Sequence, residues 1–108
     1  MDMIKIYEFI DRIHEIASVD VDDEGDRFVI FCMDSIETNF GNYVWQIVLY
    51  KDHEEMRIQL VDFGEKKVVG EKTFHDFLNK SKDELSELID RTVEEMLVFE
   101  RDRKKASS

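Results

Sequence analysis

The alternation of apolar and polar residues divides the chain into an N-terminal helix, a run of strands and a C-terminal helical region. Apolar side chains recur at helical spacing over residues 3–17, which predicts an amphipathic helix. From Val19 to Val69 the repeat shortens to two residues, which is typical of strands. Helical spacing returns after Gly70, where the sheet is expected to end. This order of elements predicts an α+β fold.

Four or five strands are predicted in the central region. Tyr43–Tyr50 is the clearest, because alternation along it directs two sets of side chains to opposite faces. Phe28–Met33 is apolar at every position, which predicts either a strand covered on both faces or one that meets a partner. The other predicted strands are 19–22, 56–61 and 66–69. Residues 34–42 are expected to form a polar loop, and the short connections favour antiparallel hairpins.

Two helix-capping patterns follow the predicted strands. Thr73 with Asp76 predicts a short helix over residues 74–79, and Ser81 with Glu84 opens a longer helix. The predicted fold is therefore an N-terminal helix, an antiparallel sheet of four to five strands, and two C-terminal helices packed on one sheet face.

The length of 108 residues is that of one domain. We expect residues 1–105 to form a single acidic α+β domain, with the longer helix reaching about residue 102. Residues 106–108 are expected to form a disordered tail.

Helical geometry separates the apolar residues of the longer helix from a row of acids. At about 100° per residue, one set of side chains forms an apolar stripe. The stripe consists of Leu85, Leu88, Ile89, Thr92, Met96 and Phe99. The opposite side carries Asp83, Glu87, Asp90 and Glu94, which we call the carboxylate row. A solvated helix surface and a docking strip for a basic groove are both compatible with this row.

Net charge narrows the class of partner. The chain has 26 Asp plus Glu against 15 Lys plus Arg, a formal charge of −11. Its aromatic content of 11% argues that the acidity is not a sign of disorder. Such a field repels nucleic acid and anionic membranes and attracts basic protein surfaces. We expect a basic protein surface as the partner, although solubility alone is a competing explanation of the acidity.

A second acidic cluster lies in the turn between the first two predicted strands. Its members, which we call the turn acids and expect to contact the partner, are Asp22, Asp23, Glu24 and Asp26. The segment Asp20–Gly25 imitates the first half of a calcium-binding loop, so a weak cation site is the alternative. The position that should supply the closing glutamate is Phe31, which favours an acidic hairpin turn. No metal and no cofactor are expected.

Catalytic motifs are not evident, so we expect no enzymatic activity. Cys32 lies within an apolar run, which predicts a buried inert thiol and excludes a disulfide framework. Asp62-Phe63-Gly64 matches three letters of a kinase motif, but the other kinase motifs are missing, and the segment is predicted to form a hairpin turn. The three histidines, His14, His53 and His75, lie on separate elements. With no signal-type segment and no apolar stretch of membrane-spanning length, a cytoplasmic location is expected.

Two function hypotheses follow from these patterns. The first is a non-enzymatic acidic protein that binds a basic protein surface and inhibits a nucleic-acid-processing enzyme, whose groove is lined with Lys and Arg. Small acidic proteins of phages and mobile elements that inhibit restriction or CRISPR nucleases have this general size and charge. The alternative is a homodimeric chaperone-like or immunity-type interaction protein. It would use exposed apolar surface around Phe28–Met33, Trp45, Leu97 and Val98.

Overall fold

The chain folds into one N-terminal helix, a six-stranded antiparallel sheet and one C-terminal helix, as a computed structural model of residues 2–106 shows. The elements are α1 (Met3–Ile16), β1 (Val19–Asp23), β2 (Arg27–Cys32), β3 (Ile36–Thr38), β4 (Gly41–Tyr50), β5 (Met56–Asp62), β6 (Lys67–Phe74) and α2 (Lys82–Ala106). The predicted α+β layout is confirmed. Of the predicted tail, Ala106 ends α2, and residues 107 and 108 lie outside the described residues.

The sheet has the order β1-β2-β4-β5-β6, and the short strand β3 pairs with the start of β4. β3 lies within the predicted polar loop, so the sheet has one strand more than the largest number predicted. Phe31 pairs with Gln46 and Ile36 pairs with Tyr43. Residues 33–35 therefore separate β2 from β3 in what would otherwise be one long strand beside β4, and Trp45 lies between the β4 residues that pair with β2 and those that pair with β3.

Gly70 does not end the sheet but lies within β6, opposite Leu60. A Cβ atom at position 70 would lie 2.8 Å from the Met96 sulfur of α2. Glycine therefore allows α2 to approach the strand closely. The register shifts between Leu60 and Val61, which leaves Val69 as a bulge and lets β6 continue to Phe74.

The predicted helix over residues 74–79 is wrong. Thr73, its proposed cap, pairs with Arg57 inside β6. Asp76 has a φ angle of 54°, which lies in the left-handed region and is incompatible with a continuing right-handed helix. Sheet pairing and this backbone geometry override the local capping pattern.

Residues 75–81 instead carry two apolar side chains into the core. Phe77 is completely buried, and its ring lies edge-on to that of Phe9 with centroids 5.2 Å apart. Leu78 is also buried, and its carbonyl accepts a 2.5 Å hydrogen bond from the Arg12 guanidinium of α1. The segment therefore closes the core between the sheet and α1.

The second capping pattern is confirmed at the start of α2. The Ser81 backbone N–H donates to the Glu84 carboxylate at 3.1 Å, and the Glu84 N–H donates to the Ser81 hydroxyl oxygen at 3.2 Å. These hydrogen bonds hold the pKa of Glu84 below its usual range. Two backbone donors at the helix start thus gain partners.

Ser81→Ala is expected to lower the free energy of unfolding by about 0.5–2 kcal/mol, because the Glu84 N–H loses its acceptor. Urea unfolding followed by circular dichroism measures the change. Ser86→Ala in the interior of the same helix is the matched control. It should leave stability unchanged or raise it slightly, since alanine is the better helix former. Equal losses in the two variants would contradict the capping role.

Both helices pack on one face of the sheet. Alternate residues of β4 are buried beneath them, as the sequence predicts: Tyr43, Trp45, Ile47 and Leu49. Along α2 the buried line is not straight, because Phe99 is 67% exposed whereas Glu100 is buried. The predicted stripe is therefore wrong at Phe99. We attribute the drift to the twist of the sheet, which turns the contact line around a long helix.

Candidate functional site

A cleft of about 400 Å³ opens where α1 ends and α2 continues. α1 has 14 residues and α2 has 25, so α2 continues beyond the end of α1. The sheet near the interruption between β2 and β3 is therefore covered by α2 but not by α1. We call this the Trp45 cleft. Its lining residues are Ile16, Ala17, Cys32, Asp34, Ser35, Ile36, Trp45, Asp90, Val93, Glu94 and Leu97. No base is among these residues.

Three carboxylates line the cleft without internal compensation. Asp34 comes from the β2–β3 interruption, and Asp90 and Glu94 come from α2. All three residues are exposed, and none forms an ion pair with a residue in the range 2–106. Asp90 and Glu94 are four residues apart, so about 6 Å of helix rise separates them on one side of α2. The cleft combines apolar walls with unneutralised negative charge.

Cys32 contributes a buried thiol to the cleft wall, as the sequence predicts. Burial raises the pKa of this thiol, although a contact of 3.7 Å with the Asp34 carbonyl oxygen opposes the effect. A thiol with a raised pKa stays protonated at neutral pH. The local environment therefore disfavours nucleophilic chemistry at Cys32.

The structure brings only half of the carboxylate row to the Trp45 cleft. Asp83 and Glu87 lie nearer the N-terminus of α2 and do not line it. Glu87 faces Arg91 at 3.9 Å, which partly neutralises it. The row extends over about 16 Å of helix rise, with the cleft at its C-terminal end.

The turn acids lie far from the cleft. They adjoin the Arg27 end of β2, whereas the cleft adjoins the Cys32 end, about 17 Å along the strand. Asp23 accepts a 2.6 Å hydrogen bond from Lys51, and Asp26 pairs with Arg27 at 3.0 Å. These hydrogen bonds lower the pKa values of Asp23 and Asp26. The two acidic clusters therefore do not form one continuous surface, and the turn acids are partly neutralised from within.

The calcium-like segment Asp20–Gly25 folds as most of β1 and the start of the turn that follows it. Within residues 2–106, no group of three or more His, Cys, Asp or Glu side chains is arranged to hold a metal ion. Asp23 is committed to Lys51 and to the backbone N–H of Gly25. Neither helix in the described part of the chain has the length and apolarity to cross a membrane.

The sheet face turned away from the helices is a second candidate surface. A hydrogen-bonded ladder crosses three strands, with Gln46 donating to Gln59 and Gln59 donating to Glu71, each at 2.7 Å. Phe31 and Val68 are exposed on this face. At the adjoining end of the sheet, exposed Met33 and Phe63 line a shallow depression. This side of the molecule thus combines satisfied polar groups with exposed apolar ones.

No protein-family model, curated protein or solved structure matches this chain. Sequence reasoning missed Asp34, which it assigned to a polar loop. It placed Trp45 correctly in a strand but expected it at an exposed apolar surface, whereas the structure leaves it only 8% exposed. The polar break after the apolar run Phe28–Met33 is the one signal that points to an interruption there.

Proposed function

We propose that the protein binds a basic surface of another protein through α2 and the Trp45 cleft. The observation that carries the proposal is the group of three uncompensated carboxylates, Asp34, Asp90 and Glu94, around an apolar cleft. A partner lysine or arginine would not have to displace an internal base from Asp90 or Glu94. Apolar contacts inside the cleft would add affinity that charge alone lacks.

The class of partner that fits best is an enzyme that processes nucleic acid. Its groove is lined with Lys and Arg, and an acidic protein seated there would block the substrate. The net charge of −11 would also speed encounter with such a surface. We propose that the protein acts without catalysis, as an inhibitor of the anti-defence kind that phages and mobile elements use.

Two variants of equal charge change test which acidic surface binds. One neutralises the carboxylate row (D83N, E87Q, D90N and E94Q), and the other neutralises the turn acids (D22N, D23N, E24Q and D26N). Each removes four negative charges from a total of −11. Immobilised wild-type protein should retain a basic protein from a source-cell lysate at low salt and release it at high salt. The carboxylate-row variant should lose at least about tenfold in retention, and the turn variant should retain the partner.

Both variants should keep the fold, because all eight substituted residues are exposed. Circular dichroism of each variant checks this. Equal retention by the two variants, or the absence of any salt-released basic protein, would contradict the proposal. Loss in the turn variant alone would move the binding surface to the other end of β2.

The second candidate function is a homodimeric chaperone-like or immunity-type protein. The exposed apolar side chains Phe31, Met33, Phe63 and Val68 on the side opposite the helices favour it. Light scattering after size exclusion separates the two candidates. A dimer that persists at high salt and is weakened by Phe31→Ser would support this function, and a strict monomer at micromolar concentration would argue against it.

A further inference from the structure

We infer that the Trp45 cleft receives the side chain of an arginine from the partner protein. The inference rests on the proposed function and narrows it from a basic surface to one inserted residue. Its basis is the position of an indole ring and three carboxylates in a single cleft.

The indole of Trp45 borders the cleft, although this residue is only 8% exposed. No residue in the range 2–106 accepts a hydrogen bond from the indole N–H of Trp45. This N–H is accessible to solvent. A partner backbone carbonyl could replace water as the acceptor of this N–H, and the exposed edge of the ring could contact the hydrocarbon part of an inserted side chain.

The charge around the indole is negative. Within residues 2–106, Asp34, Asp90 and Glu94 form no ion pair with a base, and Arg91, the adjacent base on α2, lies 3.9 Å from Glu87. An aliphatic side chain in the cleft would desolvate these carboxylates without a partner, which is unfavourable. A cationic side chain would neutralise them. Charge complementarity therefore selects a base over an apolar residue.

Arginine suits the cleft better than lysine. A guanidinium is planar and can donate to two carboxylates at once, whereas an ammonium is more strongly hydrated. Asp90 and Glu94 lie on the same side of α2, which suits a forked donor. The cleft volume of about 400 Å³ is large enough to admit one long side chain.

Trp45 is the only tryptophan in the chain, so fluorescence excited selectively at tryptophan reports on the surroundings of this one residue. We would titrate the purified protein with N-acetyl-arginine amide, with its lysine counterpart and with the citrulline amide, the neutral isostere of arginine. Arginine should give a saturable change with millimolar affinity, lysine a weaker one, and citrulline none.

The double variant D90N/E94Q should weaken arginine binding about three- to tenfold. D83N/E87Q is the matched control, because it removes the same two charges at the same spacing from the same helix, outside the cleft. It should change the affinity by less than about twofold. Circular dichroism confirms that both variants keep the fold.

Equal binding of arginine and citrulline, equal effects of the two double variants, or no saturable change up to the solubility limit would overturn the inference. If arginine fails to bind while the carboxylate-row variant still loses the captured protein, the inference fails and the proposed function stands. If arginine binds but capture is indifferent to the row, the proposed function fails and the cleft assignment stands. Arginine-sensitive association of the protein with itself would make a second copy the occupant and would overturn the assignment to another protein.

Discussion

Phe77→Ala is expected to lower the free energy of unfolding by about 3–5 kcal/mol. The Phe77 ring is completely buried in the irregular segment between β6 and α2, edge-on to Phe9. Its removal leaves a cavity that the surrounding core cannot fully close, because sheet and helix hold the cavity walls. Urea unfolding followed by circular dichroism gives the change.

The control is Phe63→Ala, the same substitution at a ring that is 52% exposed in the turn after β5. It should cost less than about 1 kcal/mol, because little apolar surface is returned to water. If Phe77→Ala costs no more than Phe63→Ala, then residues 75–81 do not close the core.

Asp62→Ala is expected to cost about 2–4 kcal/mol at neutral pH. The Asp62 carboxylate is buried and accepts hydrogen bonds from the backbone N–H groups of Gly64 and Glu65 and from Lys104 of α2. Its loss leaves these donors without their acceptor and releases one contact between α2 and the sheet. Lys104 keeps a 2.7 Å hydrogen bond to the Phe40 carbonyl oxygen, which limits the damage.

Acid should narrow the difference between wild type and Asp62→Ala. Burial alone would raise the pKa of Asp62, but hydrogen bonds from the Glu65 N–H and Lys104 outweigh it and leave the pKa lowered. A group whose pKa is lower in the folded state stabilises the fold above its unfolded pKa, about 3.9, and loses that contribution as the pH falls through its folded value. Urea unfolding at a series of pH values should therefore show a gap that is constant near neutrality and shrinks below about pH 4.

A surface pair provides the control for both measurements. Asp26→Ala removes an exposed partner of Arg27 and should destabilise the fold clearly less than Asp62→Ala does. A cost for Asp62→Ala that equals that of Asp26→Ala, or that does not change with pH, would contradict the role of Asp62.

Sequence periodicity is sufficient to predict α1, the main strands and the start of α2. The errors arise where long-range contacts decide the local structure. Thr73 and Asp76 have the spacing of a helix cap, yet pairing with β5 and burial of Phe77 favour an extended and irregular path. Strand β3 has only three residues and lies in a polar segment, so its own sequence pattern does not indicate a strand. It forms a strand because it pairs with β4.

Only part of the candidate site can be predicted from the sequence. Helical spacing places Asp90 and Glu94 on one face of α2, but it cannot bring Asp34 and Trp45 to the same cleft. That arrangement depends on the interruption between β2 and β3 and on the shortness of α1. The pairing of Asp23 with Lys51, which weakens the case for the turn acids, likewise joins residues distant in sequence.

The salt dependence of affinity for the captured basic protein tests the central claim most directly. Isothermal titration over a series of salt concentrations should show the logarithm of the affinity falling linearly with the logarithm of salt concentration. The carboxylate-row variant should bind more weakly and with a shallower slope, and the turn variant should match the wild type. An affinity indifferent to salt, or slopes identical for wild type and the carboxylate-row variant, would mean that the acidity of α2 does not serve binding.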